Sequence, residues 1–171
     1  TSVTLFAGES ETLAASAFPL DTKVQWSSSS PAIASVNQNG KVTGLDNGTT
    51  IITVASADGI KTATCEVTVI VPVTGVSLDR TSAEIIKGES MTLTATVAPS
   101  NAMNKNVIWT SSDPSVATVS QSGVVTALEF GTTTISVNSF DGNKSATCVV
   151  TVVKRSVSGG MEGTEDEDWG I

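Results

Sequence analysis

Apolar residues alternate with small polar ones through much of this chain. Met91, Leu93, Ala95 and Val97 are separated by Thr92, Thr94 and Thr96, and Thr133, Ile135 and Val137 by Thr134 and Ser136. Ala146, Cys148, Val150 and Val152 continue the pattern near the end. A period of two puts one set of side chains on each face of an extended strand, so these segments read as half-buried β-strands. Val73–Leu78, Val107–Thr110, Val116–Val119 and Val124–Leu128 add shorter runs. Between them stand turn signals: Ser111-Ser112-Asp113-Pro114, Gln121-Ser122-Gly123 and Asp141-Gly142. Glycine there supplies positive φ, and Asp or Ser can bond its own backbone. About seven short strands, with turns roughly every 8–12 residues, predict an antiparallel sandwich. No amphipathic helix is visible.

The pattern occurs twice. Gly8-Glu9-Ser10 returns as Gly88-Glu89-Ser90, and Trp26-Ser27-Ser28-Ser29-Ser30-Pro31 as Trp109-Thr110-Ser111-Ser112-Asp113-Pro114. From Ser27–Val69 to Thr110–Val152 the register holds without a gap, with 25 identities in 43 positions. A unit of about 80 residues is long for a solenoid repeat and suits a small autonomous domain. The chain therefore divides into residues 1–71, 72–155 and an acidic C-terminal segment, 156–171. The joint, Val69-Ile70-Val71-Pro72-Val73, is β-branched and lacks Gly and Ser, so a stiff connection is expected. Trp26 and Trp109, each mid-strand, are expected as core anchors.

One asymmetry stands out. Thr1 aligns with Thr81, so the first copy has no counterpart of Val73–Arg80, its opening strand. An open sheet edge is expected there, and such edges invite strand addition. Either a boundary falls after that strand, or the groove is completed by a strand or tail exchanged with a neighbouring subunit.

Charge and composition narrow the chemistry. The 171 residues carry 9 Lys+Arg against 17 Asp+Glu, for a net charge of −8, with no His, no Tyr and two Cys. An acidic surface argues against nucleic acid and anionic membranes as partners. Without His there is no imidazole base and no His-ligated metal. No apolar run approaches the roughly 18 residues of a membrane span, and Thr1–Leu5 has no signal-like character. No catalytic, cofactor-binding or metal residue is assigned, and the chain is read as a non-enzyme.

Candidate sites each have a plainer explanation. Cys65 and Cys148 fall on the inward phase of equivalent strands and read as small buried apolar residues. In two stacked units they would lie well beyond the ~7 Å limit for pairing. Asp58-Gly59, Asp141-Gly142, Asp46 and Glu129 are the candidates for calcium, but a site needs about six to eight converging oxygens, and turn chemistry accounts for them. Trp26 and Trp109 as a glycan platform compete with their role as core. Phe18, Phe130 and Phe140 have no aromatic counterpart in the other copy, so they mark places where the copies diverge. Ser27–Ser30 has no patterned base beside it and reads as a strand-ending turn. Segment 156–171 holds five acids and no base, with Trp169 and Ile171 as anchor candidates. Loop 99–106, longer in the second copy, is the leading candidate for contacting a ligand.

Taken together, Gly88–Leu93, Val107–Val119, Gly123–Ala127, Gly131–Ile135 and Ala146–Val152 resemble the group 2 bacterial immunoglobulin-like domain family. The first copy matches through Trp26–Val36, Gly40–Leu45, Gly48–Ile52 and Ala63–Val69. The resemblance implies two tandem immunoglobulin-like β-sandwiches, an all-β fold, on an extracellular protein that is bacterial cell-surface or secreted. It implies adhesion or a structural spacer role toward a protein or glycan ligand on a host or neighbouring cell, with no catalytic residues to carry over. The alternatives are a carbohydrate-binding accessory module and a phage virion decoration protein.

Overall fold

The computed structural model describes residues 1–16, 23–140 and 143–155. The first unit contains β1 (Ser2–Phe6), β2 (Ser10–Thr12), β3 (Val24–Ser28), β4 (Ala34–Val36), β5 (Lys41–Gly44), β6 (Gly48–Ser56) and β7 (Thr62–Ile70). The second contains β8 (Gly75–Leu78), β9 (Ser82–Ile86), β10 (Ser90–Thr92), β11 (Ala95–Ala98), β12 (Val107–Ser111), β13 (Ala117–Val119), β14 (Val124–Ala127), β15 (Gly131–Ser139) and β16 (Ser145–Val153). Each unit is an Ig-like β-sandwich. One layer has the order β1-β7-β6-β3 in the first unit and β9-β16-β15-β12 in the second. The opposing layer is β2-β5-β4 in the first, and β10-β14-β13 with the pair β8-β11 in the second.

Two details differ from the expected strands. The run from Met91 to Val97 is not one strand: β10 pairs with β14 and β11 pairs with β8, with Leu93 and Thr94 between them. β9, absent from the expected strands although Ser82-Ala83-Glu84-Ile85 alternates in exposure, joins β16 in parallel, as β1 joins β7. The remaining pairs are antiparallel, and β6–β7 and β15–β16 form the long central hairpins.

Each core forms where the inward phases of the two layers meet. In the second unit Leu93, Trp109, Val125, Ile135, Val137, Cys148 and Val150 are buried together. In the first unit Leu5, Val42, Ile52, Cys65, Val67 and Val69 do the same, but Trp26 and Leu13 are only partly buried at the margin. The expectation of two sealed tryptophans thus holds for Trp109, 5% exposed, and needs correction for Trp26, which is half-buried.

Substituting the two tryptophans should separate these environments. Trp109→Ala removes a buried aromatic and is expected to cost about 3–5 kcal/mol. Trp26→Ala should cost clearly less, and urea unfolding of both variants checks the order.

Candidate functional site

The repeated Trp, Gln and Gly form one assembly in each unit. β12 is an edge strand, and the Trp109 backbone faces outward from it. Gln121 covers that edge: Trp109 N–H donates to Gln121 Oε1 at 3.2 Å, and Gln121 Nε2 donates to Trp109 O at 3.1 Å. Gln38 and Trp26 repeat the pair at 3.2 Å in both directions. Two residues after each Gln, a glycine presses on the indole. A Cβ on Gly123 would lie 2.4 Å from Leu93 O and 3.1 Å from the Trp109 ring, and φ there is +82°. Gly40 has the same surroundings, with φ +79°. The turn therefore requires glycine for both conformation and space.

The serine runs have a structural task. Thr133 is 2% exposed, and its Oγ1 accepts from Asp113 N–H at 2.9 Å while bonding Ser111 Oγ and Ser112 Oγ at 3.0 and 3.1 Å. Thr50 makes the same contacts to Ser28, Ser29 and Ser30. These hydroxyls satisfy backbone where β3 and β12 leave their sheets, and among the described residues no base adjoins them. Asp113 accepts from the Ser115 hydroxyl and N–H. Those bonds hold its carboxyl below the ordinary range, the hydroxyl contributing most.

The contact between units is polar at its rim and apolar at its centre. Met103 N–H donates to Val71 O at 2.9 Å, and Asn101 Nδ2 donates to Asp46 Oδ1 at 2.7 Å. Asn47 Nδ2 donates to Asn101 O. Val71, Val73 and Ala102 are buried there.

A family model described as bacterial Ig-like domain (group 2) matches residues 1–67 and again 72–150. The chain belongs to that family. This Ig-like pair is 42% identical over 153 residues to an Ig-like virion protein of Serratia phage KSP90, covering 85% of the chain and 59% of the phage protein. It is 42% identical over 82 residues to an alpha-L-arabinofuranosidase of Bifidobacterium longum, covering 48% of the chain and 8% of the enzyme. Among solved structures it is similar to domains 4 and 5 of the S-layer protein SbsC, at 27% identity and a TM-score of 0.45, covering 77% of the chain and 71% of that structure. The chain thus spans less than two thirds of the curated relatives named here.

Other candidate residues of the Ig-like pair are scattered. Asp58 accepts from Ser56 Oγ and, at 3.0 Å, from Ile60 N–H, which lowers its pKa within a surface turn. Asp46 is engaged at the junction, and Glu129 meets Lys87 at the far end of the second unit. Among the described residues no group of three or more His, Cys, Asp or Glu is placed to hold a metal. Cys65 and Cys148 are free and buried, and burial pushes the Cys148 thiol up. Phe130 and Phe140 are exposed, Phe130 with Lys87 Nζ 5.0 Å and Lys154 Nζ 5.7 Å from its ring centre. Loop 99–106 supplies the Asn101 and Met103 contacts between units. Phe18, Asp141-Gly142 and the 156–171 segment with Trp169 and Ile171 lie outside the described residues. The signal for the Gln clamp was present in the sequence, since Gln and Gly recur at fixed distances from Trp.

Two predictions follow from this geometry. Thr133→Val removes the acceptor of the Asp113 N–H, while Ser111 keeps Ala117 O and Ser112 keeps the Thr134 N–H, and is expected to destabilise by about 1–3 kcal/mol in denaturant titration. Asp58, Asp79 and Asp113 all have lowered pKa values in the fold, so their contributions are complete above the unfolded carboxylate range. They are lost as pH falls through the lower folded values. Melting temperature should hold steady near neutrality and fall below about pH 4, as a calorimetric pH series would record.

Proposed function

We propose that this Ig-like pair is a non-catalytic spacer that holds a binding element at a set distance from an outer surface. The observation that carries this reading is the bonded junction, where Asp46 and Asn47 of one unit engage Asn101 of the next and Val71 binds Met103. A β-branched linker with buried Val71 and Val73 restricts the hinge further. Two small sandwiches joined in this way transmit orientation, which Gly/Ser-linked units do not.

The setting in this reading is extracellular, on a bacterial surface or in a secreted protein, with a protein or glycan on a host or neighbouring cell as the ligand of the larger assembly. A second reading, a virion exterior protein, has its own support: similarity to the phage protein runs across 153 residues and so through both units. Similarity to the glycosidase is confined to 82 residues, about one unit, which favours an accessory role less. Labelling of intact cells against protein analysis of purified phage particles separates the two settings.

Small-angle X-ray scattering tests the spacer itself. The chain should fit one arrangement of its two units, and a Gly-Ser-Gly-Ser insertion between Pro72 and Val73 should broaden the distance distribution. Equal breadth before and after insertion would refute the spacer.

A further inference from the structure

The end of the first unit that meets the second has a counterpart at the far end of the second unit. In the first unit Asn47 and Val71 hold the neighbour: Asn47 Nδ2 donates to Asn101 O, and Val71 O accepts the Met103 N–H at 2.9 Å. The repeat carries these two positions to Phe130 and Lys154. The backbone is alike at both ends, with Ala7 N–H donating to Ile70 O at 3.0 Å and Lys87 N–H to Val153 O at 3.1 Å. The side chains are not alike. Ala7, Asn47, Val71 and Pro72 become Lys87, Phe130, Lys154 and Arg155. With Ile86 and Glu89, these four line a hollow of about 640 Å³. Phe130 is 46% exposed there, with Lys87 Nζ 5.0 Å and Lys154 Nζ 5.7 Å from its ring centre. Three of the chain's nine basic residues thus gather at one end of an acidic protein. Glu129 engages Lys87 and Glu89 engages Arg155, but among the described residues no carboxylate pairs with Lys154.

We propose that this hollow is a docking site for an acidic segment with an aromatic anchor, and that its occupant is this chain's own residues 156–171. That segment follows Arg155 directly. It carries Glu162, Glu165, Asp166, Glu167 and Asp168, no basic residue, and then Trp169 and Ile171. Its carboxylates match Lys154 and Arg155, where charge-assisted hydrogen bonds are the strong ones. The Trp169 indole offers a face to the Phe130 ring and to the lysine ammonium groups. Gly159-Gly160 gives the chain a place to reverse. The first unit sets the precedent, because there too the residues beyond the equivalent position close over it: Val73 and Ala102 are buried, and Asn101 and Met103 make the polar contacts. A second copy is the poorer occupant. Its 156–171 segment has the same chemistry but lacks the tether that raises the effective concentration.

Acrylamide quenching of Trp169 tests the site in the full chain, its signal isolated by subtracting that of the Trp169→Phe protein. Docking should weaken quenching about threefold or more relative to a Phe130→Asp chain, as expected when a tethered segment is bound most of the time. Lys154→Glu should restore most of the quenching. Lys144→Glu makes the same charge change at the opposite end of β15 and should leave the protection intact. Salt at about 1 M, where charges are screened within about 3 Å, should weaken it. Phe130, Lys154 and Lys144 are all exposed, so each variant should keep the circular dichroism spectrum of the parent. Free quenching of Trp169 in the unaltered chain would overturn the proposal. So would protection that survives Phe130→Asp, or that Lys144→Glu removes as readily as Lys154→Glu. Protection that grows with chain concentration would also overturn it, since that marks docking on a second copy.

Discussion

Each sandwich depends on a tryptophan gripped by a turn from the opposite layer. The indole fills the space between layers, but its backbone lies on an edge strand, where unpaired N–H and C=O groups would be exposed to another chain. The Gln side-chain amide presents an N–H donor and a carbonyl acceptor side by side, so it can finish the edge without adding a strand. The following glycine lets the same turn close down on the ring. Leu93 N–H donates to Gly123 O at 2.9 Å, and Leu13 bonds Gly40 identically, so the turn also fixes where the split strand changes direction. Layer spacing, edge protection and the break after β10 are thus set by three residues acting together.

Much of this was legible in the residues, and the boundary of legibility has a physical cause. Period-two alternation and turn chemistry are local, so β12, β14, β15 and β16 could be placed from their own residues. The tandem repeat required only comparison of the chain with itself. The break at Leu93-Thr94 was not legible, because alternation continues through it and only the Asp79 bonds and the Gly123 contact distinguish two strands from one. β9 is harder to place from its own residues, because the alternation Ser82-Ala83-Glu84-Ile85 is short and is built on Ala and Glu, which are weak strand formers. The serine runs looked like turn filler, since the buried Thr133 that organises them is about 20 residues away in sequence. Trp26 is less buried than its repeat position predicts, because burial belongs to neighbours, and the neighbour that seals Trp109 is β8.

The acidic excess does little for the fold itself. The ion pairs Arg80–Asp79 and Arg155–Glu89, at 2.9 and 2.7 Å, are solvent-exposed. Such pairs contribute about 0–1 kcal/mol. Neutral hydroxyl and amide networks do the specific polar work, and among the described residues no buried side-chain polar atom lacks a partner. This fits a protein whose interior is built from Val, Ile, Thr and Ser: small side chains in a thin core need every hydroxyl satisfied, because an unpaired one would cost as much as the burial of a methyl or two contributes.

The two units diverge where their neighbours differ. Asp46-Asn47 ends the first unit against Asn101, and the aligned pair in the second unit is Glu129-Phe130. There Glu129 is held by Lys87, and the Phe130 ring has the ammonium groups of Lys87 and Lys154 near it, 5.0 and 5.7 Å from its centre. The inward positions of the strands on either side of this loop are kept (Val42 and Val125, Thr50 and Thr133, Ile52 and Ile135, Val54 and Val137), while the loop has exchanged a hydrogen-bonding pair for a charged and aromatic one. The same contrast holds at the other end, where exposed Phe140 replaces Ala57. Core positions are tied to the tryptophan clamp and cannot drift without loss of packing. Loop positions answer only to what touches them, so divergence between two copies in one chain maps their separate surroundings more directly than either copy does alone.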